Sequence, residues 1–302
     1  MNKRFTRWLL CGLLLTSAGV AGAGLRIFAC EPEWGALAGE LTGDSSNIYS
    51  ATTALQDPHH IQARPSLIAQ ARRADLVVCT GAELEVGWLP MVLRRAGNPG
   101  VQVGTNGYFS ATDYVTLLEK PQRLDRAEGD VHAQGNPHIQ LDPHNILRVA
   151  DALGQRLAEL DPAHAADYRK RLQNFTARWQ AAMQRWEQEA APLKGMPIVV
   201  YHRGWTYLNH WLGLRELAEL EPLPGVPPTS SHLASVLDAM KAQPARAIIR
   251  APYQDARPVE WLHEHTGIPA LQLPSTVGGN PQAGDLFGFF DNIVTQLLGA
   301  NS

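Results

Sequence analysis

The sequence is short of cysteine, of basic blocks and of long apolar runs. Its three cysteines are Cys11, Cys30 and Cys79, and the first falls in an N-terminal leader, so at most one internal disulfide is available. Charged residues make up 18% of the chain, with no basic run and no interleaving of aromatic with basic residues, so nucleic acid is not an expected partner. No second long apolar segment follows the leader, and the mature chain is therefore expected to be soluble. Signatures of hydrolytic chemistry are missing as well. There is no HExxH, no G-x-S-x-G elbow and no carboxylate placed by motif as a general base.

The leader itself is complete. Lys3, Arg4 and Arg7 form a basic start, Trp8 to Leu15 an apolar run, and Ala21-Gly22-Ala23 a small-residue cleavage site. The run is shorter than the roughly 20 residues of a membrane anchor, so a cleaved signal peptide is expected, with the mature chain starting near Gly24 or Leu25. Leu10 precedes Cys11 where lipid attachment would need a small residue, which argues against a lipoprotein. Loss of three cations takes the formal charge of −3 to about −6. Export implies an oxidising compartment, where Cys30 and Cys79 either pair or remain two buried thiols.

Short apolar runs alternate with helical patterns. LRIFAC (25–30), NIYSA (47–51), DLVVCT (75–80) and VQVG (101–104) read as strands, with helices around 33–41, 66–73 and 85–96. After Gly195 the alternation resumes with PIVVYH, LRELAEL, ARAIIRA and PALQLP as strands. Helices are expected there at 204–212, 232–241, 256–266 and 284–299. Such alternation implies parallel sheets covered by helices on both faces. Between the halves lies a long helical texture interrupted at Asp161-Pro162, which reads as a cap and first turn of a helix over 162–190. The expected class is α/β, two (β/α) lobes joined by one long rigid helix, with the ligand in the cleft at the strands' carboxyl ends. The boundaries are a signal peptide over 1–23, an N-terminal lobe over 24–160, a linker helix over 161–191 and a C-terminal lobe over 192–302.

Three of the eleven histidines directly follow a proline. In DPHHIQARPS (57–66), Pro58 stiffens the loop that carries His59 and His60, which suits a metal ligand, although a solvated polar loop fits as well. In NPHIQLDPHN (136–145), His138 lies in a loop, whereas Asp142 and Pro143 read as helix punctuation and make His144 a first-turn residue. His202 closes the apolar strand IVVYH in the second half. His210 reads as a packed or surface residue, and His164, His232, His263 and His265 as members of solvated faces. His132 sits in a charged loop. His59, His138 and His202 would together make a neutral, nitrogen-rich site across the cleft, a donor set that suits Zn²⁺ better than Mn²⁺.

At these motifs the chain resembles the zinc- and manganese-binding substrate-binding proteins of bacterial ABC importers, and their zinc branch most. DPHHIQARPS, NPHIQLDPHN and VVYHRGWTYLNHWLGL (199–214) resemble the family's three ligand motifs, and LAELDPAHAADYRKRLQNF (157–175) its linker helix. The resemblance selects His59, His138 and His202 as ligands of one Zn²⁺ per chain. It implies a periplasmic, monomeric, non-enzymatic protein that hands the ion to an inner-membrane ABC permease. Two departures stand out. The His- and acid-rich loop of zinc members is reduced to LDRAEGDVHAQG (124–135), and LQLPSTVGGN (271–280) lacks the acid that many members supply as fourth ligand. Water, His60, His132 or Asp285 remain for that position, and Asp285 also reads as the N-terminal residue of the last helix. The rival readings are a secreted three-histidine zinc hydrolase, the same binding role for Mn²⁺, Fe²⁺ or another ion, and an adhesin.

Overall fold

The structure, a computed structural model, describes residues 24–121, 129 and 132–301. The leader and most of the loop before Asn136 lie outside the described residues. Two four-stranded parallel sheets form the frame. The first has the order β2-β1-β3-β4, from β1 (Arg26–Ala29), β2 (Asn47–Ser50), β3 (Leu76–Cys79) and β4 (Tyr108–Ser110). The second repeats that order as β6-β5-β7-β8, from β5 (Pro197–Val200), β6 (Arg215–Glu219), β7 (Ala247–Arg250) and β8 (Ala270–Gln272). The central strands β1, β3, β5 and β7 are the runs RIFA, LVVC, PIVV and AIIR, almost wholly buried. Strands covered on both faces need such unbroken apolar runs rather than alternation.

Nine helices complete the described residues: α1 (Pro32–Thr42), α2 (Pro65–Arg73), α3 (Leu89–Ala96), α4 (Pro143–Leu160), α5 (Ala165–Glu189), α6 (Thr206–Leu212), α7 (Ser230–Ala242), α8 (Arg257–Thr266) and α9 (Leu286–Asn301). None is long and apolar enough to cross a membrane. With 25 residues α5 extends about 37 Å. Its buried Tyr168, Phe175, Trp179, Met183 and Trp186 face the core, where Trp179 and Trp186 lie 5.5 and 5.1 Å from the ring of Phe290 on α9. One apolar core runs from β1 through α4 and α5 to β5 and α9, so the lobes share their interior.

Three local expectations need correction. VQVG is not a strand; Pro99–Val101 is a short 3₁₀ turn, and the edge strand forms later, at Tyr108–Ser110. Val103 is 74% exposed, and without a neighbour to cover it an apolar alternation has nothing to pair with. The helix expected from 85 starts only at Leu89, because Gly81, Ala82 and Glu83 all take positive φ and turn the chain first. The long helix starts at Ala165 rather than Pro162. The Asp161 carboxylate accepts from the Tyr168 hydroxyl (2.8 Å) and faces His164 Nδ1 (2.7 Å), so it does not cap the backbone.

Cys30 and Cys79 form a disulfide. Ala29 pairs with Val78 in the parallel register of β1 and β3, which brings the next residues side by side, with Cα atoms 4.8 Å apart. The bridge closes a span of 49 residues, worth about 4 kcal/mol on a chain-entropy basis, and the His59 loop lies inside it.

Candidate metal centre

His59, His138 and His202 come from three separate loops and meet in the cleft. One ring nitrogen of each lies within 4.8 Å of the others, and ring centroids are 5.4, 5.6 and 5.7 Å apart. All three residues are buried. His59 follows β2, and Pro58 fixes the turn before it. Asp57 Oδ1 accepts from His59 N (3.0 Å) and faces His59 Nδ1 (2.8 Å), while the Pro58 carbonyl accepts from the indole of buried Trp88 (2.9 Å). An Asx-Pro start makes such a side-chain-to-backbone turn natural.

His138 is held differently. Asn136 Oδ1 accepts from His138 N (3.0 Å), and Asn136 Nδ2 donates to Glu119 Oε2 (3.0 Å), to the Arg203 carbonyl (2.9 Å) and to Thr206 Oγ1 (3.2 Å). Tyr207 of α6 also donates its hydroxyl to the Asn136 carbonyl (2.8 Å). The asparagine of the NPH triplet thus ties its histidine to the second lobe. His202 ends the run from β5 and faces Glu221 Oε2 through Nδ1 (2.7 Å); the same carboxylate oxygen accepts from Gly225 N (2.9 Å). Gly204 leaves room between the rings, since a Cβ there would lie 3.3 Å from His202 Cδ2 and 3.5 Å from His138 Cδ2.

The electrostatics follow from these partners. Burial, reinforced by the neighbouring rings of His59, His202 and His132, holds the His138 imidazole well below its ordinary pKa of 6.5. Burial also opposes charge on His202, but the hydrogen bond to Glu221 outweighs it and moves that pKa up. Asp57 is desolvated too, yet its hydrogen bond to His59 keeps its pKa below the usual carboxylate range. A carboxylate facing Nδ1 selects the tautomer that bears hydrogen there, leaving Nε2 of His59 and His202 as lone-pair donors. His138 Nε2 is buried without a hydrogen-bond partner, the state of a polar atom awaiting a cation. The donor set therefore fits a divalent metal: three neutral nitrogens, two of them backed by anions.

Other candidates fall elsewhere. His144 sits in the first turn of α4, capped by Asp142 as its pattern implies, with Nε2 3.2 Å from Glu187 on the surface. His60 is exposed next to His59. Asp285 accepts from Gly288 N (2.7 Å) at the start of α9, as a capping residue does. His132 Nε2 lies 3.3 Å from His59 Nε2. His232, expected on a solvated face, is half-buried, with Nε2 2.9 Å from the Glu219 carbonyl. The acid-free loop after β8 is tied to the first lobe. The Ser275 carbonyl accepts from Gln140 Nε2 (3.0 Å), and Thr276 donates its hydroxyl to Glu33, whose buried carboxyl is pushed up to about 7. The partners Asp57, Glu221 and Asn136 were not singled out by sequence reasoning. Asp57 carried a signal in its Asx-Pro turn, whereas Glu221 carried none.

The family model described as zinc-uptake complex component A periplasmic matches residues 27–300. The manganese ABC transporter substrate-binding lipoprotein PsaA of Streptococcus pneumoniae is 23% identical over 274 residues, covering 86% of this chain and 84% of its own length. The iron ABC transporter substrate-binding lipoprotein MtsA of Streptococcus pyogenes serotype M1 is 21% identical over 238 residues, covering 76% and 72%. Among solved structures, a crystal structure of ZnuA superposes with a TM-score of 0.78 at 22% identity, over 92% of this chain and all of that one.

Proposed function

The chain belongs to the zinc-uptake complex component A family, metal-binding components of ABC importers rather than enzymes, and from that premise we propose that its cargo is Zn²⁺. One ion per chain is held by Nε2 of His59, His138 and His202 in the periplasm, by a monomer that delivers it to a membrane permease. The observation that carries this reading is the all-nitrogen donor set with a buried, partnerless Nε2 on His138. Manganese is named for the pneumococcal relative and iron for the streptococcal MtsA. Among the described residues no carboxylate joins the three rings, and Mn²⁺ favours oxygen donors, while Zn²⁺ outranks both ions at nitrogen sites. A secreted hydrolase is not supported, since the family is a transport component.

Capture and release follow from the same groups. A dication taken from water into a cleft needs compensating charge nearby, and Asp57 and Glu221 supply it one imidazole away from the ion. Neither carboxylate has to move, because each already grips its ring. Proton competition opposes binding, and affinity falls as pH drops below about 6.5, where imidazoles charge. The core shared between lobes favours small adjustments of the cleft over wide hinge closure. Native mass spectrometry of protein offered equal Zn²⁺, Mn²⁺ and Fe²⁺ tests the reading. One zinc per chain is expected, absent from the triple variant His59→Ala, His138→Ala, His202→Ala. Full zinc occupancy in that variant refutes the ligand set, and preferential retention of manganese or iron refutes the cargo.

A further inference from the structure

We infer that His132 is the fourth zinc ligand and that Glu83 positions it, an assignment that rests on the three-histidine reading above. Nitrogens bound to one tetrahedral zinc at 2.0–2.1 Å are about 3.3–3.4 Å apart. His132 Nε2 stands 3.3 Å from His59 Nε2, at that edge length, and the ring centroids are 5.3 Å apart, close to the spacings within the triad. Two imidazole nitrogens at this distance share a cation more readily than a lone hydrogen.

The ring is delivered by a built turn. His132 accepts at its carbonyl from Gly135 N (3.1 Å), and Asn136 N donates to the Leu118 carbonyl (2.9 Å), so the turn runs straight into the asparagine that orients His138. Gly135 has φ +122, and a Cβ would lie 2.6 Å from the Leu118 carbonyl oxygen, so only glycine closes the turn this way. Ala133 N donates to Glu83 Oε2 (2.8 Å). Glu83 and Ala82 take the left-handed conformation at φ +68 and +47, costly for residues with a Cβ. Buried Glu85 holds that strained segment by accepting from Thr80 N (2.7 Å) and Gly81 N (3.1 Å). The strain aims the Glu83 carboxylate at the turn that carries His132. The remaining candidates for this position are otherwise engaged or turned away: Asp285 caps α9, and His60 is exposed. His132 reaches the site from the His59 side and completes a shell of four neutral nitrogens, which raises discrimination against oxygen-loving ions.

X-ray absorption of the zinc-loaded mature protein, with zinc affinity measured by competition, tests the assignment. Four imidazoles are expected in the wild type and three plus one oxygen in His132→Ala, with affinity lower by about 10–100-fold. Glu83→Ala should retain four imidazoles with a smaller loss, and His60→Ala should match wild type. Three imidazoles plus oxygen in the wild type, with His132→Ala unchanged in affinity, overturns the inference while leaving the three-histidine site intact; Gln140, whose buried Oε1 has no partner, would then be the oxygen to examine. A wild type that binds no zinc overturns both.

Discussion

Asp57-Pro58-His59 and Asp142-Pro143-His144 are the same local device in two places. In each, the aspartate Oδ1 accepts from the histidine N, at 3.0 and 2.8 Å, and faces the histidine Nδ1, at 2.8 and 2.9 Å. Proline fixes the residue between, and Nε2 points outward in both. What differs is the far side of the ring. His59 Nε2 enters a buried cleft shared with His138, His202 and His132, whereas His144 is 42% exposed and meets Glu187 on a helix surface. A metal ligand and a helix cap thus share one geometry, and the surroundings of one nitrogen separate them.

The sharpest way to break this comparison is to remove each ring. His59→Ala is expected to lower zinc affinity by more than about 100-fold, since losing even an outer partner of a ligand costs about 10–100-fold. His144→Ala should leave affinity unchanged in the same competition titration. Equal losses would mean that the two triplets are not functionally distinct. Removing the carboxylates probes the shared half of the device. Asp57→Ala should weaken zinc binding by about 10–100-fold, whereas Asp142→Ala should cost about 1 kcal/mol of unfolding free energy in urea and spare the affinity. A reversed pattern would assign the capping and ligand-backing roles the wrong way round.

The smallest effect concerns protons and turns on the two histidines of NPHIQLDPHN. In metal-free protein, NMR titration should place the His138 midpoint well below 6.5, because of burial, and the His144 midpoint above it, because of Asp142. The signs for stability are opposite. The His144 contribution is fully present below about 6.5 and is lost as pH rises through its raised pKa; the His138 contribution is present above about 6.5 and is lost as pH falls. Half-exposed as it is, His144 should contribute under about 1 kcal/mol, visible as a flatter stability profile in His144→Gln. Matching midpoints for the two rings would show that the cleft does not desolvate His138.

Much of the fold was legible. The buried central strands announced themselves as unbroken apolar runs, and the DPHN cap was readable because Asp at that position has a local hydrogen-bond partner. The edge strand β4 was misplaced because VQVG has the right residues but no neighbour, and pairing is a tertiary event. The start of α5 was misplaced because Asp161 has a competing partner in Tyr168, seven residues away. His132 stayed one of several candidates for the fourth position because its anchor, Glu83, lies 50 residues upstream.

The chain alone determined that two α/β halves would form and which histidines sit on stiff turns, because periodicity, proline and Asx chemistry act over a few residues. Tertiary structure decided which of those rings lose water and which carboxylate backs each of them. Glu221 reaches His202 across 19 positions and Asn136 reaches Arg203 across 67, and no local pattern specifies pairings at that distance. Desolvation and charge compensation are properties of the assembled cleft, and they are what separates a ring able to hold a metal from one that only caps a helix.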